Sequence, residues 1–336
     1  MSKINCAIIG CGRIFSTHAD AIIKCSDATL YAVCDSDRKK ATDAAEKYHC
    51  KAYFDYKEML RDSLIDSVHI CTPNYLHATM SIEAMQSGKH VLTEKPMAIS
   101  VSDAQEMIRV SEDTGKVLGV CFQNRYNTTS VRVKEVLDSG KVGRVLGGKA
   151  SMTWNRGKDY YASDAWHGTW AQEGGGVLIN QAIHTLDLLQ WFIGDVENIK
   201  GSIDTRLLRD VIEVEDTAEA TIMFSNGATV LFFASNNYCT DAPVSIEIVC
   251  ENAVMKIEDE LVIKYRTGEI ETVIDSDQAT GGKSYWGSSH KALIEDFYRS
   301  IENGTGVWID GEQGITALKM IQAIYSASIS DTSQSH

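Results

Sequence analysis

Short apolar runs alternate with amphipathic stretches through about residue 122. The runs predict six strands, and the stretches between them predict helices, most clearly over residues 38–49, 75–88 and 101–115. Strands that alternate with helices indicate right-handed crossovers and a parallel, doubly wound sheet, that is, a Rossmann domain. The predicted strands cover residues 4–10, 29–35, 52–54, 67–72, 90–93 and 117–122.

After residue 122 the pattern changes. One long helical segment, about residues 177–192, precedes alternating apolar runs between residues 217 and 274, which turn signals such as "SNG" and "RTGE" separate. This spacing predicts a large, open, mainly antiparallel sheet in an α+β domain. Helices over residues 290–302 and 312–328 and a frayed tail close the chain. We therefore predict a Rossmann domain over 1–122 and a substrate-binding and oligomerisation domain over 123–336.

Charge narrows the choice of partner. The 336 residues include 46 Asp and Glu against 32 Lys and Arg, a formal net charge of −14. A surface this negative repels phosphate backbones and anionic lipids. We expect a small-molecule partner, with neither nucleic acid nor membrane.

The cysteines indicate a reducing environment. Nine are spread singly without a C-x-x-C pair, and several lie inside apolar runs such as "HICT", where a thiol packs as a small hydrophobe. There is no signal-peptide pattern and no apolar run long enough to span a membrane, so we expect a cytoplasmic protein. The nine histidines form no metal-ligand pattern with acids or cysteines, and no metal is expected.

The first strand leads into "GCGRIF", a candidate phosphate-binding turn. Gly10 would form the tight turn, and Gly12 would let the backbone approach a pyrophosphate at the helix N-terminus, beside Arg13 and Ile14. Phe15 stands where the usual fingerprint has a small residue, and we expect it to face the sheet and fill space beneath the helix. The context of strand, turn and helix predicts a dinucleotide site.

An acidic residue at the end of the second strand supports that prediction. Asp35 lies 23 residues beyond Gly12, the offset expected for a carboxylate that binds the adenosine ribose. It would repel the 2′-phosphate of NADP, although Arg38 nearby could attract one. The pattern favours NAD.

The long helix after residue 176 carries a second candidate group. Its apolar residues recur at helical spacing, which leaves Asn180, His184 and Asp187 on a neighbouring polar face. An imidazole there could reach a ligand, with Asp187 one turn away to orient it. The preceding Gly-Gly-Gly indicates close backbone approach. The apolar positions are Ile179, Ile183, Leu186 and Leu189.

The segment "CTPNYLHATMSIEAMQSGKHVLTEKPMA", residues 71–98, resembles the core of the glucose-fructose oxidoreductase / inositol dehydrogenase / rhizopine-catabolism (Gfo/Idh/MocA) family. The motif Glu94–Lys95–Pro96 is its most specific part. The resemblance implies that Glu94 contacts the nicotinamide side, that Lys95 points into the substrate cleft, and that Pro96 holds a turn through a cis bond. It also implies that four residues line the cofactor: Thr72, Pro73, Asn74 and His77.

Further site residues follow from the same resemblance. "FQNRYN" would place Gln123 and Asn124 at the cofactor and Arg125 on a polar or anionic substrate. Trp166 could stack on a sugar face, in a stretch where His167 replaces a common Arg. Asn180 stands where the family often has an acid, a variant similar to members that act on nucleotide sugars. His290 is a further candidate cleft residue.

These residues predict hydride transfer between a ring carbinol and a nicotinamide, the carbinol belonging to a sugar, nucleotide sugar or cyclic polyol. Lys95 and His184 are the candidates for handling the hydroxyl proton, and the sequence does not rank them. Two alternatives stay open: a glycosidase that oxidises the 3-position transiently, and a non-catalytic ligand sensor. The resemblance and the open sheet also imply a homodimer or homotetramer through the sheet's outer face.

Overall fold

The computed structural model describes residues 3–275 and 289–333. The chain forms two compact units, residues 1–123 with 289–315, and residues 124–288 with 316–336. Residues 289–315 therefore belong to the first unit, a return of the chain that the expected division at residue 122 did not include. The fourteen strands of the described residues are β1 (Ile4–Ile9), β2 (Ala28–Cys34), β3 (Lys51–Tyr53), β4 (Ser67–Ile70), β5 (His90–Thr93), β6 (Leu118–Val120), β7 (Val145–Thr153), β8 (Val196–Asp204), β9 (Thr217–Phe224), β10 (Thr229–Ser235), β11 (Ser245–Cys250), β12 (Ala253–Ile257), β13 (Leu261–Tyr265) and β14 (Ile270–Val273).

The helices begin and end close to the predicted positions. In α2, Asp37 accepts hydrogen bonds from the backbone N–H groups of Lys39 and Lys40, an N-cap that the sequence provides. The last helix runs five residues beyond the predicted end at residue 328, and residues 334–336 of the expected tail lie outside the described residues. The α-helices are α1 (Phe15–Lys24), α2 (Arg38–Tyr48), α3 (Tyr56–Leu60), α4 (Asn74–Gln86), α5 (Val101–Thr114), α6 (Thr128–Asp138), α7 (Lys158–Ala162), α8 (Ile183–Ile193), α9 (His290–Asn303) and α10 (Gly311–Ser333).

The first unit is the predicted Rossmann domain. Its six strands are parallel, in the order β3-β2-β1-β4-β5-β6. This doubly wound order confirms the prediction, with strand ends shifted by one or two residues. Phe15 is buried and packs edge-to-face on Tyr48, ring centroids 5.5 Å apart, so the bulky third position fills space as expected.

The second unit contains an eight-stranded sheet in the order β14-β13-β12-β11-β7-β10-β9-β8. Neighbouring strands are antiparallel except β10 and β7, which confirms a mainly antiparallel sheet. The sequence pattern missed β7 and β8. Both contain glycine and several polar residues, which are depleted in strands, and here pairing with neighbouring strands overrides that preference.

The helix that carries the second candidate group differs from a regular α-helix. Residues Leu178–Ala182 form a π-helical turn, and α8 begins immediately after it. The four predicted apolar positions of this segment are all fully buried, which confirms its core face. The wider turn changes the direction of the polar residues on either side of it, because a π-turn spaces hydrogen-bonded residues by five rather than four.

Candidate active site

The carboxyl ends of the parallel strands bring the predicted cofactor residues of the first unit to one edge of the sheet. The strand order reverses between β1 and β4, and open α/β sheets bind ligands at such a switch point. Gly10 follows β1, Asp35 follows β2, Thr72 follows β4, and Glu94 and Lys95 follow β5.

The turn after β1 has the geometry that a dinucleotide needs. Gly10 has φ of 98°, and a Cβ there would lie 2.4 Å from the carbonyl oxygen of Cys71. A Cβ on Gly12 would meet no atom of the described residues within 4 Å, so the space beside its backbone is open. The buried hydroxyl oxygen of Thr72 has no hydrogen-bond partner among the described residues. An open cradle beside an unsatisfied hydroxyl fits a pyrophosphate and its sugars.

Asp35 is fixed at the rim of this cradle. One carboxylate oxygen accepts the backbone N–H of Cys11 at 2.8 Å, and the other accepts that of Asp37 at 2.9 Å. The guanidinium of Arg38 lies over the ring of Phe54, 4.4 Å from its centroid. Arg13 is exposed and Ile14 is half-buried. The carboxylate is therefore held in place before any ligand arrives.

Both ring nitrogens of His77 contact backbone carbonyl oxygens. Its Nδ1 lies 2.7 Å from the carbonyl oxygen of Pro96 and its Nε2 lies 2.7 Å from that of Thr72. The ring is buried, and burial lowers the pKa of His77. These contacts tie two segments of the site edge together, and a position of His77 beside the cofactor stays a prediction. The Lys95–Pro96 peptide is cis, as the resemblance implied.

Pro73 and Asn74 begin α4 directly beyond Thr72. Pro73 is half-buried and the side chain of Asn74 is buried. Gln123, also buried, opens a 3-10 turn that follows β6, while Asn124 is half-buried and already belongs to the second unit.

The carboxylate of Glu94 is buried and lies beside residues of α1 and α9. Its Oε1 lies 2.9 Å from Nε2 of His18 and 3.8 Å from Nε2 of His290. Burial alone would raise the pKa of Glu94, but the hydrogen bond with His18 and the proximity of His290 hold it well below its usual range. The backbone N–H of Lys95, whose side chain is half-buried, donates to Oε2 at 3.2 Å.

Sequence reasoning missed His18 and its neighbours. Nδ1 of His18 lies 2.8 Å from Nδ1 of His69, and Nε2 of His69 lies 2.8 Å from the hydroxyl of Tyr298. These residues come from α1, β4 and α9, so no local spacing in the sequence relates them. The only available signal was three polar residues within apolar segments.

Ligand-type atoms of His18, Glu94 and Cys121 lie within 4.8 Å of one another, a grouping that could hold a metal ion. A metal would need the Cys121 thiolate, whereas burial raises the pKa of this thiol well above its usual value. The hydrogen bond between His18 and Glu94 accounts for their proximity without an ion. The absence of a metal stays a prediction.

In the second unit, His184 is the second residue of α8 and is half-buried. The glycines before this helix allow very close packing. A Cβ on Gly176 would lie 1.9 Å from the backbone oxygen of Glu215, which accepts the N–H of Val177 at 3.0 Å. The expected close backbone approach is confirmed, and it fixes where the His184 helix starts.

Asn180 contacts a carboxylate that the sequence analysis did not single out. Its side-chain amide donates to Glu173 and to the hydroxyl of Tyr160, the latter at 3.3 Å. Glu173 is buried and also lies 3.2 Å from Nδ1 of His167. The half-buried ring of Trp166 stacks on His167, with centroids 3.8 Å apart. The unit thus supplies an acid close to the position where the family resemblance expects one.

Arg125 and Asp187 bind each other. Nε and Nη2 of Arg125 donate to the two carboxylate oxygens of Asp187 at 2.9 and 2.6 Å, and both side chains are at most 1% exposed. Trp191 lies beneath the guanidinium, 5.6 Å from its centroid. The roles expected for Arg125 on a substrate and for Asp187 beside His184 stay predictions. The π-turn separates Asn180 from His184 and Asp187, which both lie in the regular helix α8.

Glu215 holds the start of the same helix. Its carboxylate accepts the backbone N–H groups of Gly176 and Leu178 at 2.9 and 3.0 Å and the hydroxyl of Tyr325 at 3.0 Å. Burial raises the pKa of Glu215 to about 7, although these hydrogen bonds act in the opposite direction. A carboxyl group that titrates near neutrality therefore supports the segment that leads to His184.

The raised pKa of Glu215 predicts a stability change with pH. Between 4.5, the ordinary value of this carboxyl, and about 7, the folded protein binds a proton that the unfolded chain has released, so stability falls as pH rises through this window. We expect wild type to lose about 3 kcal/mol more than Glu215→Gln across it. Urea unfolding of both proteins over a pH series measures the difference, and parallel curves would contradict it.

Comparison with known proteins agrees with this geometry. The profile described as "Oxidoreductase family, NAD-binding Rossmann fold" matches residues 4–122, and the GFO/IDH/MocA C-terminal domain matches residues 130–256. The WlbA dehydrogenase from Chromobacterium violaceum, solved with NADH and UDP-GlcNAcA, is 31% identical with a TM-score of 0.85, covering 98% of this chain and 94% of that one.

Two further relatives also match almost end to end. The WlbA dehydrogenase from Bordetella pertussis, solved with the same two ligands, is 28% identical with a TM-score of 0.85, covering 97% of each chain. The D-glucoside 3-dehydrogenase of Escherichia coli (strain K12) is 25% identical over 98% of this chain and 97% of its own. The chain belongs to the GFO/IDH/MocA family of oxidoreductases, whose N-terminal domain is an NAD-binding Rossmann fold.

Proposed function

We propose that this protein is an NAD-dependent dehydrogenase that oxidises a ring carbinol of a sugar, nucleotide sugar or cyclic polyol. The observation that carries the proposal is the open Gly12 cradle, with Asp35 fixed at its rim and Lys95 at the end of β5 of the same sheet. A nucleotide sugar is the first candidate, because two nearly full-length relatives were solved with UDP-GlcNAcA.

The first unit would bind NAD through residues at one sheet edge. Gly10 and Gly12 would admit the pyrophosphate, Asp35 would accept hydrogen bonds from the adenosine ribose, and Thr72 would donate its hydroxyl. Bound NAD supplies a hydride acceptor for the carbinol carbon. The fixed carboxylate of Asp35 would repel a 2′-phosphate, which favours NAD over NADP.

Lys95 and His184 would act on the substrate hydroxyl. An ammonium stabilises the negative charge that develops on the oxygen, and an imidazole can take up its proton near neutral pH. Asn180 can hold a second hydroxyl but cannot accept a proton, and Trp166 offers an aromatic face to a sugar ring.

The test is net NADH formation from NAD with sugars, inositols and UDP-sugars, with product analysis beside it. We expect NADH to accumulate in proportion to oxidised product for one of these classes. Cleavage products without net NADH would instead indicate a glycosidase that regenerates its cofactor. Binding without any turnover would indicate a sensor, and either result would contradict the proposal.

The two glycines of the turn offer a matched pair of variants. Gly12→Ala adds a methyl group where no described atom lies within 4 Å, so the fold should persist while NAD binding weakens at least tenfold, about 1.4 kcal/mol. Gly10→Ala meets the backbone of Cys71 and should lower stability instead. Calorimetric titration with NAD and thermal unfolding separate the two effects. Unchanged NAD affinity in Gly12→Ala would rule out this binding mode.

The outer face of the eight-stranded sheet supports a proposal about assembly and location. Leu231 of β10 lies on this face, opposite the buried Val230 and Phe232, and is 61% exposed. A second copy of the chain would cover it, so we expect a homodimer or homotetramer, which light scattering would measure. No described helix is long and apolar enough to cross a membrane. All nine cysteines are free thiols, which suits the cytoplasm.

A further inference from the structure

Four buried side chains of the first unit form a continuous hydrogen-bonded chain. It starts at the hydroxyl of Tyr298, passes through both ring nitrogens of His69 and of His18, and ends at the carboxylate of Glu94. The three links measure 2.8, 2.8 and 2.9 Å. His18, His69 and Tyr298 are fully buried and the side chain of Glu94 is 10% exposed, so bulk water has little access to these groups. Of these four residues, the sequence analysis assigned only Glu94 to the candidate site.

The donors of the chain can be assigned from one end to the other. Burial raises the pKa of Tyr298 well above its usual value, so the phenol keeps its proton and is able to donate it to Nε2 of His69. Burial and the neighbouring His18 lower the pKa of His69 well below its usual value, so the ring is neutral and carries its proton on Nδ1. That N–H must donate to Nδ1 of His18, which leaves the His18 proton on Nε2, directed at Glu94.

The hydroxyl of Tyr298 also interacts with the side chains of Cys6 and Ser67, neither of which adds a charge. Thiols pack against the hydrogen-bonded chain from β1 and from the ends of β4 and β6, and burial raises the pKa values of all three, so they carry no charge. His290 of α9 lies 3.8 Å from Glu94, beyond hydrogen-bond distance but close enough for an ionic contact. The thiols are Cys6, Cys71 and Cys121.

We propose that Tyr298, His69 and His18 are positioning residues that donate hydrogen bonds in one direction and fix Glu94 as a carboxylate beside Lys95. Three donors in series supply the anion with a directed hydrogen bond that does not depend on solvent. Glu94 thereby stays ionised in a place where burial alone would favour its protonated form. Within this hydrogen-bonded series, His69 and His18 are the residues that keep Glu94 ionised.

The consequence for the cofactor rests on the proposed function. Glu94 follows β5 at the sheet edge where NAD would bind, and oxidised nicotinamide is a cation whereas the reduced ring is neutral. A fixed carboxylate there favours NAD⁺ over NADH. The hydrogen-bonded series from Tyr298 to Glu94 would thus favour oxidation of the substrate over reduction of the product.

The protonation pattern can be tested without cofactor or substrate. In the apoprotein labelled with ¹⁵N-histidine, we expect neutral-pH spectra in which His18 carries its proton on Nε2 only and His69 on Nδ1 only. An imidazolium spectrum for either ring, or the opposite tautomers, would overturn the assignment. So would stoichiometric zinc, since a metal at His18 needs the Nε2 lone pair. The result of this measurement does not depend on whether the protein binds NAD.

The effect on the cofactor needs the two dissociation constants. Glu94→Gln should weaken NAD⁺ relative to NADH by about tenfold, and Tyr298→Phe should shift the ratio in the same direction by about threefold. Tyr53→Phe is the matched control, because it removes a tyrosine hydroxyl 2.8 Å from the carboxylate of Asp62 in the same unit. An unchanged ratio in both test variants would refute the charge bias.

Discussion

Replacing Lys95 with alanine should nearly abolish turnover while leaving the affinity for NAD within a few-fold of wild type. The ammonium is the group assigned to the charge that develops on the substrate oxygen, and loss of a positioned proton-transfer or electrostatic group typically costs about 10²–10⁴ in kcat. The proposed pyrophosphate and ribose contacts at Gly10, Gly12 and Asp35 do not involve this side chain and should stay intact. Steady-state kinetics and NAD titration of the variant measure both quantities.

Two further variants sharpen this experiment. Lys95→Arg keeps the positive charge but cannot release a proton at neutral pH, so partial activity in it would assign Lys95 to electrostatic stabilisation alone. Lys57→Ala removes an exposed lysine of α3 and should behave as wild type. A kcat for Lys95→Ala within threefold of wild type would remove this residue from the mechanism.

Asp187→Asn should lower the stability of the second unit by about 3–5 kcal/mol, because it leaves the Arg125 guanidinium buried without its counter-ion. For a unit of this size, the melting temperature should fall by roughly 10 °C. Since α8 also carries His184, turnover should fall as well. Thermal unfolding followed by circular dichroism measures the first effect.

The control for Asp187→Asn lies on the protein surface. Asp138→Asn breaks the Lys134–Asp138 pair of α6, which is exposed although its 2.7 Å distance is similar, and should change stability by less than about 1 kcal/mol. The double variant Arg125→Met with Asp187→Leu should recover most of the loss, because an apolar pair of similar volume leaves no buried charge. Equal losses of stability in Asp187→Asn and Asp138→Asn would show that the buried ion pair contributes no more to stability than the exposed one.

The local pattern was sufficient for the Rossmann unit. Apolar runs of four to seven residues, glycines such as Gly115 at helix ends and the Gly10–Gly12 turn all act over short distances, so periodicity and turn chemistry identify them. The buried face of the helix around His184 was also predicted correctly from the spacing of its apolar residues. Strands β7 and β8 were missed because their pairing partners are distant in sequence and their composition is poor for strands.

The finer geometry of the candidate site depends on contacts between distant residues. Arg125 and Asp187 are 62 positions apart and His69 and Tyr298 are 229 apart, so spacing alone could not pair them. Glu173 and Glu215 read as ordinary acidic residues until burial and hydrogen bonds distinguished them. Asp187 was placed correctly on its helix, but its partner Arg125 could not be predicted.

A double-mutant cycle tests most directly whether Lys95 and His184 serve one reacting hydroxyl. The rate of NADH formation in a single turnover is measured for wild type, Lys95→Ala, His184→Ala and the double variant. If both residues act on the same proton, the double variant should be no more than about tenfold slower than the slower single variant. Losses that simply multiply would mean that the two residues act independently, and would contradict the account.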